Sequence, residues 1–111
     1  MVSFEPSLSA LNAFATGVQG TAYNIANVNT ASFQPVSVRY QSGRPADQGV
    51  HPVITRPAPD IVSGEQAAPF SHVDIAREMT NLITNQRAFE ANATFIRTGD
   101  ELLGVLVDLK V

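Results

Sequence analysis

The chain of 111 residues contains no cysteine, which excludes disulfide frameworks, thiolate metal sites and cysteine nucleophiles. Charge is scarce as well, at 15% of residues against 44% hydrophobic. A chain this apolar is no solvated tail, and part of its surface is expected to be covered by something other than water. No lysine or arginine precedes Arg39, so the N-terminal stretch lacks the basic region of a secretory signal. No apolar run approaches the ~18 residues that a membrane span requires. The formal net charge of −3 removes the electrostatic attraction that drives binding to nucleic acid or anionic membranes, so neither is an expected partner.

What is present divides unevenly. Six of the seven prolines (Pro35, Pro45, Pro52, Pro57, Pro59, Pro69) lie between Phe33 and Ser71, which leaves both flanks free to be helical. Three segments result: 1–33, a helix with an Asn-rich turn; 34–70, a proline-rich insert; and 71–111, a second helix.

In the first segment Phe4, Leu8, Leu11, Ala15, Val18, Ala22 and Ile25 recur at alternating spacings of four and three, which predicts a coiled-coil-like helix over 6–27. Ser9, Asn12, Thr16, Gln19 and Tyr23 form a polar but uncharged opposite face, which is expected to meet other protein. Gly17 and Gly20 each cost about 1 kcal/mol relative to alanine inside a helix. They mark either a close backbone approach or a locally weak helix. Asn24, Asn27 and Asn29 gather where the pattern ends, and with Thr30 and the apolar anchor Phe33 they predict a turn.

The insert holds two runs of strand character, 36–40 and 50–55, flanking a loop with Gly43, Pro45 and Gly49. An irregular β-hairpin followed by an extended connector over 56–69 is expected. In the last segment Ser71 and Asp74 resemble a capping box, predicting a helix over 71–109. Ile75, Met79, Leu82, Phe89, Ala93 and Ile96 supply its apolar seam, which Leu103 and Leu106 continue after a phase shift near Gly99. The fold class is therefore mainly α: two long terminal amphipathic helices packed as a coiled-coil-like hairpin around a short β-hairpin insert. Helices of roughly 33 and 57 Å cannot close on each other as a globule, so a subunit stable mainly in an assembly is expected.

Chemistry-bearing patterns are thin. His51 and His72 lack metal-ligand spacing, and Asp100 and Glu101 diverge by about 100° on a helix, which suits them poorly as an acid–base pair. No nucleophile elbow or phosphate loop occurs, so no catalytic residue, metal, cofactor or small-molecule substrate is expected.

The run from Ser9 to Phe33, centred on Asn24-Ile-Ala-Asn-Val-Asn-Thr30, resembles the N-terminal signature of the bacterial flagellar basal-body rod and hook family. The run from Val73 to Asn92, with Leu102-Leu-Gly104 beyond it, resembles that family's C-terminal signature. The short insert makes the chain most similar to the small proximal-rod proteins. The family pattern has glycine where this chain has Ser32, which bears on the turn, and tyrosine where it has Phe89. The resemblance implies a structural rod subunit that polymerises into a helical tube and transmits torque. It implies export through the flagellar type III apparatus without a cleaved signal, location in the periplasmic part of the basal body, and other copies and other rod proteins as partners. Subunit packing would then fall to Leu8, Leu11, Val18 and Ile25 on one helix and Met79, Leu82, Phe89, Ile96, Leu103 and Leu106 on the other. The alternative, from the amphipathic helices alone, is a chaperone-like or regulatory module that captures a partner helix.

Overall fold

The computed structural model describes residues 3–43, 49–58 and 70–110. Helix α1 spans Glu5–Ala26, strands β1 and β2 span Ser37–Ser42 and Val50–Thr55, and helix α2 spans Ile75–Leu109. The two helices run antiparallel along an elongated body of 76 × 27 × 14 Å. Its radius of gyration of 19.5 Å exceeds the about 13 Å of a compact chain of this length.

Helix α1 begins one residue before the expected start, with Pro6 in the first turn, where a missing N–H is harmless. It ends in the asparagine cluster: Asn27 donates from Nδ2 to the Tyr23 carbonyl at 2.9 Å and accepts the Thr30 hydroxyl at 3.1 Å. Phe33 then folds back edge-on against Tyr23, with ring centroids 5.4 Å apart.

The hairpin is more regular than its sequence suggests. Six consecutive pairs run from Ser37–Thr55 to Ser42–Val50, and β1 starts and ends later than the 36–40 expected. Val36 is drawn out of the ladder because its N–H and carbonyl are both bonded elsewhere. Pro52, opposite Tyr40, is tolerated because a two-stranded sheet leaves each strand a free edge. Pro45 of the expected loop and most of the expected connector, residues 59–69, lie outside the described residues.

Helix α2 starts at Ile75 rather than at 71. Asp74 is itself the N-cap, its carboxylate accepting from the N–H groups of Ala76 (3.1 Å) and Arg77 (3.4 Å). Ser71 does not open the helix: its hydroxyl accepts the Val73 N–H at 3.3 Å, while the His72 N–H donates to the Phe33 carbonyl at 3.0 Å and ties this stretch to the chain beyond α1. The helix is 35 residues long, about 52 Å. Helix α1 ends its contact with it where the Phe4 ring lies on Gly99 and edge-on to Phe95 at 6.5 Å. Beyond Gly99, α2 projects about 15 Å past its partner, and every residue from Asp100 to Leu109 is exposed.

Among the described residues the buried hydrophobic side chains are only Ala10 and Ala13. The face that α1 turns inward carries Ala10, Ala13, Gly17, Thr21 and Asn24, a stripe of small and polar side chains at helical spacing. An interior of this kind brings backbones close but removes little apolar surface from water, so hydrophobic burial within one chain is modest.

Candidate subunit interface

Two polar side chains of α1 hold the insert in place. Asn24, buried, donates from Nδ2 to the Val36 carbonyl and accepts the Val36 N–H at Oδ1, both at 2.8 Å. Ser9 does the same for Val50, donating to its carbonyl at 2.7 Å and accepting its N–H at 2.8 Å. Each side chain takes the place of a neighbouring strand for one residue. The spacing explains why both can act: fifteen helical residues rise about 22 Å, and the six steps from Val36 to Ser42, the partner of Val50, extend about 20 Å.

Between these two points the helices and the hairpin meet at a single junction. The Tyr40 hydroxyl donates to Asn85 Oδ1 at 2.6 Å, and its ring stands edge-on to Phe14 at 4.9 Å. Gly17 makes room for both partners: a Cβ there would overlap the Tyr40 hydroxyl and lie 2.9 Å from Asn85 Nδ2. A Cβ at Gly20 would come within 2.7 Å of Val38. Close approach is thus the reason for these glycines. Burial pushes the Tyr40 hydroxyl above its ordinary pKa of 10.0, so it stays a hydrogen-bond donor through the neutral range.

The ten residues expected to pack between subunits lie half-buried or exposed on this chain. Leu11, Val18, Ile25, Leu82 and Ile96 are half-buried, while Leu8, Met79, Phe89, Leu103 and Leu106 are exposed, Leu8 to 64%. None lies in the interior of the chain. The structure brings Leu8, Leu11 and Phe89 to one open groove, and leaves Leu103 and Leu106 on the projecting end of α2 beside Leu102, Val105, Val107 and Leu109. Of the turn residues, Asn24, Asn27, Thr30 and Phe33 make the contacts given above, and Asn29 is exposed. His51 sits in β2 and His72 before α2, and no group of three histidine, cysteine or acidic side chains converges among the described residues. None of the described helices is long and apolar enough to cross a membrane.

Residues 69–109, which include all of α2, match the family described as flagellar basal body rod FlgEFG protein C-terminal. The flagellar hook protein FlgE of Rhizobium meliloti is 40% identical over 104 residues, covering 87% of this chain and 25% of that protein. The FlgE of Borreliella burgdorferi is 47% identical over 51 residues, covering 46% of this chain and 11% of that protein. The flagellar hook-basal body complex protein FlhP of Bacillus subtilis is 47% identical over 36 residues, covering 32% of this chain and 13% of that protein. Residues 69–109 belong to the flagellar rod and hook protein family, and the similarity to the Rhizobium hook protein extends over most of the chain. The chain spans about a quarter of the length of the Rhizobium relative.

Membership gives meaning to a strained position. Ser32 has φ 58°, in the left-handed region that glycine enters freely and other residues enter at a cost of roughly 1–2 kcal/mol. It stands where the rod and hook pattern has glycine, so the turn keeps a glycine conformation with a serine in it. Phe89, where that pattern has tyrosine, is exposed on α2 and lines the groove with Leu8 and Leu11.

Ser9, Tyr40 and Asn85 are not visible as functional positions in the periodicity, because it weighs aliphatic residues and these act through hydrogen bonds. One signal does exist: Ala10, Ala13, Gly17, Thr21 and Asn24 repeat at spacings of three and four, a small-residue stripe beside the aliphatic one.

Proposed function

We propose that the chain is a structural subunit of the flagellar basal-body rod, polymerising through its two helices into a helical tube that transmits torque, with no catalytic site. The observation that carries this reading is the ten-residue end of α2, in which Leu102, Leu103, Val105, Leu106, Val107 and Leu109 form one broad exposed apolar face opposite Asp100, Glu101 and Asp108. An isolated chain gains nothing from that pattern, whereas a chain surrounded by copies of itself buries it. The exposed and half-buried set Leu8, Leu11, Val18, Ile25, Met79, Leu82, Phe89, Ile96, Leu103 and Leu106 is then the packing surface between subunits.

Both family signatures occur in one chain around an insert confined to residues 34–70, and this favours a rod subunit over a hook subunit. In this reading the chain reaches the periplasmic rod through the flagellar type III apparatus without a cleaved signal, and its partners are other copies and other rod proteins.

Mass spectrometry of detergent-purified hook–basal bodies, with a deletion strain scored for motility, tests this. The subunit reading expects the chain in the purified organelle and a non-motile deletion strain. Retention of the chain in the cytoplasmic fraction, with normal basal bodies in the deletion strain, would sink it and favour a chaperone-like module.

A further inference from the structure

Beside the Tyr40–Asn85 junction, α1, β1 and the first turns of α2 enclose a cavity of about 300 Å³. Its wall includes Glu78 and Thr21, exposed to only 6% and 5%, and neither side chain is bonded to another group among the described residues. The ion pairs described are Arg87–Glu90 and Arg97–Glu101, both on the surface of α2. Among the described residues no buried side-chain oxygen lacks a partner, so the Glu78 carboxylate meets solvent through the open side of the cavity, where an incoming cation can reach it. Arg77 also lines this cavity, but it directly precedes Glu78 on α2, so the two side chains leave the helix about 100° apart, and they form no ion pair among the described residues. A divalent metal calls for several charged oxygens, and Glu78 is the cavity's single carboxylate. Asn81 and Thr84 add polar groups to the wall beside Thr21, a set suited to the five donors of a planar guanidinium rather than to the point charge of an ammonium.

We propose that this cavity receives an arginine side chain from a second copy of the chain, which pairs with Glu78 and donates to Thr21. The inference rests on the subunit reading and names one contact within it. Arg39 in β1 and Arg56 just after β2 are exposed and belong to neither described ion pair, so they are the donors. A donor on the hairpin and an acceptor between the helices lie on different faces, which is the geometry of an open polymer rather than a closed dimer.

The test is sedimentation of the full chain over a range of concentrations, with far-UV circular dichroism as the folding control. Glu78→Gln is expected to remain helical and to require at least tenfold more protein for half-assembly. Arg39→Gln or Arg56→Gln, exposed positions whose change leaves the fold intact, is expected to give the same shift, with no added effect in combination with Glu78→Gln. Exchanging the charges, Glu78→Arg together with glutamate at the responsible arginine, should restore part of the loss. Assembly of folded Glu78→Gln at the wild-type concentration, or unchanged assembly in both arginine variants, overturns the inference and leaves the subunit reading standing. A wild-type chain that never assembles overturns both.

Discussion

The half of the molecule near the Asn-rich turn and the projecting end of α2 follow opposite rules. Where α1 and the hairpin lie along α2, they are joined by side chains that each satisfy a particular partner: Asn24 with Val36 near the turn, Tyr40 with Asn85 midway, Ser9 with Val50 at the far end of α1. Past Gly99 the described residues give one helix with no second element beside it, and a run of exposed leucine and valine. The first half completes its own structure with directional bonds and close backbone approach. The second carries most of its apolar side chains to a surface that only other chains can cover. A subunit can therefore be well shaped in one half and dependent on assembly in the other.

Substitutions can break this contrast or sharpen it. The largest expected effect is Gly17→Val, which forces a branched side chain into the space of the Tyr40 hydroxyl and Asn85; overpacking at a junction of three elements should cost about 3 kcal/mol. Chemical denaturation followed by far-UV circular dichroism measures it, and a wild-type midpoint would show that the junction is soft. Asn24→Ala strands the N–H and carbonyl of Val36 together and should lower stability by about 2 kcal/mol in the same assay.

Tyr40→Phe should cost about 1 kcal/mol through the lost bond to Asn85. It also tests a pH dependence of known sign. The folded pKa of Tyr40 is raised above the unfolded value of 10.0, so the stability linked to it is fully present below pH 10 and is lost as pH rises through the folded value. The phenylalanine variant should lack that alkaline loss, and an unchanged alkaline profile would assign it to other groups. Smallest in the isolated chain is Leu106→Ser, expected within about 0.5 kcal/mol of wild type because the side chain is 61% exposed. Its effect should appear instead in sedimentation, as impaired assembly. A clear loss of monomer stability would contradict the contrast between the two halves.

The legible and illegible parts of the sequence follow the same division. Spacings of three and four announce both helices, since a periodic apolar stripe is a property of the chain alone, and the valine-rich runs announce the hairpin. The start of α2 is hard to read because Ser71 and Asp74 are both good caps, and each accepts a backbone N–H two residues on, Ser71 from Val73 and Asp74 from Ala76. The junction was illegible for another reason. Tyr40 and Asn85 are 45 positions apart, and nothing in the local pattern of either says that they meet. Gly17 was visible as an anomaly, but only the Tyr40 hydroxyl against it explains why a side chain is not tolerated. Aliphatic residues such as Leu8 and Leu106 were readable as apolar, while the face they cover belongs to geometry beyond a single chain.

The hairpin closes on one backbone bond, from the Gly43 N–H to the Gly49 carbonyl at 2.6 Å. Chain leaving at Gly43 must return at Gly49, and Ser9 and Asn24 grip the strands at or below that closing pair. Added sequence between the two glycines therefore leaves the described bonds of Ser9 and Asn24 in place. The entropy of holding its ends together grows only as the logarithm of its length, about 0.6 kcal/mol for each doubling. The helical frame is in this sense indifferent to cargo: the same pair of helices can carry a tight loop or a whole extra domain at nearly the same thermodynamic load, so that length can diverge while the frame stays constant.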